Sequence, residues 1–135
     1  CIYGPTPWFP IGNEQIDYMP IKEVALRPEA SPHAWNSKIM HRLHKMGFTA
    51  SKSDSSLCIR NNSPGRVCIL LYVDDLVITS PNLVAINNVK SQLSDAFEMK
   101  DLGDLHCFLG IEVIHTPDDI LFTQRHYVLN MLYNF

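Results

Sequence analysis

The 135-residue chain contains no apolar run approaching the ~20 residues that a membrane-crossing helix needs. Its N-terminus, "CIYGPTPWFP", has neither a basic start nor a long apolar core, so it does not read as a signal peptide. There are only four cysteines, Cys1, Cys58, Cys68 and Cys107, with no Cys-x-x-Cys pair and no histidine at zinc-ligand spacing. That argues against a disulfide framework or a zinc site. The cysteines read as small apolar residues of a reducing, intracellular setting, cytoplasmic or nuclear rather than secreted. Positive charge is also scarce: 11 Lys and Arg stand against 14 Asp and Glu, a net charge of −3. A free-standing nucleic-acid binder is usually basic, because phosphate contacts supply most of its affinity. A local basic patch remains compatible with that balance. Internal repeats, low-complexity tracts and an initiator Met are missing too, and the chain reads as a piece of something longer.

What remains is a globular composition, 46% hydrophobic and 19% charged, long enough for one domain with a modest core. Residues 1–30 form an irregular segment in this reading, rich in proline (Pro5, Pro7, Pro10, Pro20, Pro28), with a short extended piece at Gln15–Met19. Ser31 can cap a first helix, with Pro32 at its first position. Trp35, Ile39, Leu43 and Met46 then share one apolar face, and Gly47 stops it. The other face carries Lys38, His41, Arg42, His44 and Lys45. Such a face is either solvated or in contact with a phosphate backbone. "SSLCIR", "NNSPGR" and "VCILLYV" predict strand, turn and strand. Leu76–Ser80 predicts a third strand, and Ser80 and Pro81 open a second helix with Ile86, Val89, Leu93 and Phe97 inward. "KDLGDL" reads as a connector, "HCFLGIEVI" and "ILFT" as two strands, and "TQRHYVLNMLYNF" as a last helix cut short. The fold class is α+β: a mainly antiparallel sheet with helices packed on one face.

The chemistry concentrates at "VCILLYVDDLVITS", residues 67–80. The run from Val67 to Val73 has no polar alternation and predicts a central strand buried on both faces. Asp74 and Asp75 then form the tip of a hairpin. Aspartate is a common turn residue, because its side chain hydrogen-bonds nearby backbone. Yet adjacent carboxylates repel, and no Lys or Arg occurs between Arg66 and Lys90 to neutralise them. A hard divalent cation would do so. Mg²⁺ takes one or two protein carboxylates and leaves its other positions to water and substrate phosphates. Two such ions, about 3.5–4 Å apart, activate a 3′-hydroxyl and stabilise a leaving pyrophosphate.

"YVDDL" at 72–76 resembles the Tyr-x-Asp-Asp box of reverse transcriptases. "HAWNSKI" (33–39), "GFTASKSDSSLCI" (47–59), "YVDDLVITS" (72–80), "FEMKDLGDLHCFLGIEV" (97–113) and "ILFTQRHYVLNML" (120–132) are similar, in order and spacing, to the copia-type retrotransposon branch. The resemblance covers residues 31–135 and implies an incomplete polymerase-palm domain of an RNA-directed DNA polymerase, a nucleotidyltransferase. It implies that Asp74 and Asp75 are the catalytic, metal-holding pair, with Mg²⁺ or Mn²⁺ as cofactor. By the same resemblance Tyr72 and Val73 lie near the primer terminus and incoming nucleotide. Phe108, Leu109 and Gly110 belong to the hairpin that grips the primer, although plain strand core accounts for Phe108 and Leu109 without the family. The implied partners are an RNA template, a DNA primer and the rest of a retrotransposon polyprotein, with no membrane. Lys38, Arg42 and Lys45 are the candidates for backbone phosphates.

The resemblance breaks at its start. The family takes a third carboxylate from an earlier strand, in a segment like Asp-Val-x-x-Ala-Phe-Leu. Here "GPTPWFPIGNEQIDYMP" stands there, with Gly4 at the aspartate position and Asp17 as the nearest substitute. "ALRPEASPHAW" replaces the family's Leu-Tyr-Gly-Leu-Lys-Gln-Ala-Pro-Arg-Ala-Trp, putting Glu29 where a lysine would attract phosphates. This implies a chain inactive by itself. The alternatives are a non-catalytic remnant that binds nucleic acid or protein, or a translated relic without function.

Overall fold

The structure is a computed structural model, and it describes residues 21–27, 31–62 and 65–134. Gln15–Met19 and Asp17 lie outside the described residues. Two compact units divide the chain, one ending at Asp104 and the other beginning at Leu105; each is described by itself.

The first unit is built on a six-stranded sheet. Its strands are β1 (Ile21–Leu26), β2 (Thr49–Ala50), β3 (Leu57–Asn62), β4 (Gly65–Tyr72), β5 (Asp75–Thr79) and β6 (Met99–Asp104). Their order is β2-β3-β4-β5-β1-β6, and every neighbouring pair is antiparallel. Helices α1 (Pro32–Lys45) and α2 (Leu83–Ser94) cover one face. Strand periodicity explains how. Val24, Val67, Ile69, Leu71, Leu76 and Ile78 all point to that face and are buried against Trp35, Ile39 and Leu43 of α1 and Ala85, Ile86, Val89 and Leu93 of α2. The alternate residues, Cys68, Leu70, Tyr72, Asp75, Val77, Thr79, Glu23 and Ala25, point the other way; Val77 is buried and the others stay half-buried or exposed.

Helix α1 starts with Pro32 at its first position, and its Trp35 packs edge-on against Phe97 at 5.2 Å. Its chain end turns at Gly47, whose φ of +88° suits glycine. Helix α2 is capped by Asn82, whose Oδ1 accepts a 2.9 Å hydrogen bond from the Val84 N–H. Ser80 is a step too early for the cap. It is buried, and its Oγ accepts from the Asn82 N–H.

Three expectations are corrected here. Residues 21–26 are a sheet strand rather than part of an irregular segment. "MKDLGD" is a strand, tied to its neighbours by the Lys22–Asp104 ion pair and by Lys90–Asp101 at 2.7 Å. Strand β4 is central but buried on one face only, because the face turned away from the helices is incompletely covered.

The second unit holds a three-stranded antiparallel sheet, β7 (Cys107–Phe108), β8 (Ile111–His115) and β9 (Ile120–Thr123), followed by α3 (Arg125–Tyr133). "HCFLGIEVI" is therefore two strands, broken by a turn at Leu109–Gly110. Both turn residues have positive φ, 52° and 78°, the pattern of a two-residue type I′ hairpin. Cys58 and Cys68 are free thiols, whereas Cys107 is disulfide-bonded, which corrects the reading of all four as free. Among the described residues no helix is long and apolar enough to cross a membrane.

Candidate active site

The β4–β5 hairpin carries the two aspartates, in a register one residue away from the expected one. Tyr72 pairs with Asp75, so the two-residue turn is Val73–Asp74 and Asp75 is the first residue of β5. The positive φ, 50°, falls on Val73, the first turn residue, the pattern of a type II′ turn. Glycine is the usual occupant, and a β-branched residue there is strained. Val73→Gly is expected to raise stability by about 1 kcal/mol, the relief of strain exceeding the extra entropy of the unfolded chain. An unchanged denaturation midpoint would show the turn to be relaxed.

The shifted register gives the carboxylates different places. Asp74 is at the tip. Asp75 is on the sheet face turned away from α1 and α2, across from Tyr72 on β4 and from Ala25 on β1. Two residues along β1, Glu23 shares that face. Burial, and then the neighbouring Asp74 carboxylate, push Asp75 above the usual carboxylate range. Burial, and then Asp75, do the same to Glu23. The end of this hairpin is therefore a place where negative charge is crowded and incompletely solvated. Glu23 is the residue that sequence reasoning missed, because its position depends on how β1 enters the sheet.

The remaining candidates are spread more widely. Lys38 and Lys45 are exposed on α1, on the opposite side of the sheet layer from Asp75. Arg42 is half-buried, and its Nη2 donates to the Gln92 carbonyl at 3.2 Å, fastening α1 to α2. Phe108, Leu109 and Gly110 form the β7–β8 hairpin of the second unit, with Phe108 half-buried and Leu109 exposed at the turn. Among the described residues no three His, Cys, Asp or Glu side chains converge as a metal-holding group.

The profile of the reverse transcriptase (RNA-dependent DNA polymerase) family matches residues 21–135, which include the hairpin and both aspartates. The chain belongs to the reverse transcriptase family. Its relatives place it in the copia-type branch. It is 37% identical over 102 residues to the retrovirus-related Pol polyprotein from transposon RE1 of Arabidopsis thaliana, covering 76% of this chain and 7% of that protein. The corresponding polyprotein from transposon RE2 of the same plant is 31% identical over 132 residues, 97% of this chain and 9% of the relative. The polyprotein from transposon TNT 1-94 of Nicotiana tabacum is 28% identical over 108 residues, 78% of this chain and 8% of the relative. This reverse transcriptase chain thus spans less than a tenth of the length of these polyproteins. No solved structure matches it.

Proposed function

We propose that the β4–β5 hairpin is the cation-holding element of a templated, RNA-directed DNA polymerase palm. Asp74 and Asp75 hold Mg²⁺ or Mn²⁺, and the chain acts as part of a longer Pol polyprotein inside the cell, on an RNA template and a DNA primer. The observation that carries this reading is the crowding of two adjacent carboxylates at the end of a rigid central hairpin, within the matched family region. The donor set fits. Both groups are hard oxygen donors, burial and the neighbouring Asp74 charge disfavour the ionised form of Asp75 when no cation is present, and one or two carboxylates are what Mg²⁺ commonly takes from a protein. When bound, such an ion acidifies the attacking hydroxyl and neutralises charge building on the leaving phosphate.

The chain's own residues do the placing. Tyr72 stands beside Asp75 on the same face, where a ring can lie against the primer end, and the Val73 turn fixes how far Asp74 projects. The exposed Leu109 turn is the proposed primer grip. The proposed ligand set holds only two carboxylates. That favours a chain that binds its ion weakly and needs the rest of the polyprotein for turnover, and it keeps the non-catalytic remnant as the second reading.

Primer extension tests it, with a DNA primer on an RNA template, Mg²⁺ or Mn²⁺, and an Asp74→Asn control. Extension that the control abolishes supports the assignment. Extension that the control leaves intact overturns it.

A further inference from the structure

Between Ala30 and Ser53 the chain has no acidic residue, although it carries 14 overall and a net charge of −3. Helix α1 lies in this stretch. It holds His33, Lys38, His41, Arg42, His44 and Lys45 and no carboxylate to pair with them. Its apolar stripe, Trp35, Ile39 and Leu43, is buried against the sheet, which turns Lys38, His41, His44 and Lys45 outward, and all four are exposed. Elsewhere in the first unit Lys22 is paired with Asp104 and Lys90 with Asp101, and the exposed Lys52 and Lys100 stand singly on other segments rather than along one helix. The stripe is thus a local positive pole on a negative chain.

We infer that the outer face of α1 is a contact surface for a nucleic-acid backbone, separate from the carboxylate hairpin. Lys38 and Lys45 are two turns apart on one side, about 10 Å along the axis. That distance spans roughly three phosphates of one strand at 3.4 Å of axial rise each. Asp75 and Glu23 point away from the face on which α1 packs, so the negative potential of the hairpin and the positive stripe are kept on opposite sides of the layer. Arg42, engaged with Gln92, braces the helix and stands outside the stripe. The choice of nucleic acid over another polyanion rests on the polymerase reading. The surface itself does not.

The test is binding of the whole chain to a fluorescein-labelled RNA–DNA hybrid between 50 and 200 mM salt. Each lysine on a phosphate adds about 0.9 to the slope of log affinity against log salt. Over this range the wild type should lose roughly tenfold more affinity than Lys38→Gln/Lys45→Gln. Arg66→Gln/Lys100→Gln, which removes the same charge elsewhere, should keep the wild-type slope; the polymerase reading is tested separately, by primer extension. Amine-reactive labelling should show Lys38 and Lys45 protected in the complex, and Lys52 and Lys100 open. The inference is overturned by an absence of binding, by equal slopes for the two double variants, by labelling of Lys38 and Lys45 that the hybrid does not reduce, or by preference for phosphatidylserine vesicles over the hybrid.

Discussion

Replacing Trp35 with alanine is expected to cost about 3–5 kcal/mol, the range for removing a buried aromatic ring. Trp35 is 3% exposed, joins α1 to the sheet and meets Phe97 edge-on. A domain of this size holds only about 5–15 kcal/mol in total, so the variant gives up between about a fifth and all of that stability. Its melting midpoint falls by more than about 12 °C, at a few degrees for each kcal/mol. Trp35→Phe separates packing from polarity. The Nε1–H is buried without a partner among the described residues, so losing it removes a penalty along with some volume. Trp35→Phe should therefore lose far less than Trp35→Ala. Equal losses for the two would mean that the edge-on contact is not what matters.

Replacing Asp75 with asparagine should have two opposite effects. Without a divalent cation it stabilises the fold. The Asp75 and Glu23 carboxyls are both pushed above their ordinary range, so the folded chain holds their protons more tightly than the unfolded chain does. Their contribution to stability is best at low pH and is lost as pH rises from the ordinary carboxylate value through the raised one. The gain from Asp75→Asn is therefore present at neutral pH and vanishes below about pH 4. Because the group is only partly buried, solvent screening keeps the gain on the order of 0.5 kcal/mol. With Mn²⁺ present the order reverses. A cation at ten times its Kd stabilises the wild type by about 1.4 kcal/mol, and the variant receives little of this. Thermal melts at pH 4 and pH 7, with and without Mn²⁺, read both effects.

Helices α1 and α2 and strands β3 to β5 were legible because one-sided burial leaves a periodic trace: Trp35, Ile39 and Leu43 on one helix, Ile86, Val89 and Leu93 on the other. Strand β1 left no such trace. "IKEVAL" mixes charge with apolar residues, and its place comes from pairing with β5 and β6, whose partner residues lie far along the chain, as in Ala25 with Asp75. Strand β6, with three charged residues and a glycine in six, closes one edge of the sheet, where little burial is required. The two hairpin turns misled for one shared reason. Val73 and Leu109 occupy positive-φ positions that composition assigns to glycine or asparagine, so the first turn reads one residue late and the second reads through as strand. At the site this moved Asp75 from the tip to the strand, and it hid Glu23 because the face that Glu23 shares with Asp75 exists only once β1 is in register. The family motif itself was plain, since "YVDDL" and "FLGIEV" depend on residue identity and not on pairing.

In the proposed palm, Asp74 and Asp75 hold a divalent cation at the end of the β4–β5 hairpin. Mn²⁺ binding followed by electron paramagnetic resonance tests it most directly, on the wild type, Asp74→Asn, Asp75→Asn and an Asp118→Asn control in the second unit. Binding is expected to be saturable, weakened at least tenfold by each hairpin variant and unchanged in the control. Wild-type binding equal to that of both hairpin variants would contradict it, and the two aspartates would then be only a turn residue and its neighbour.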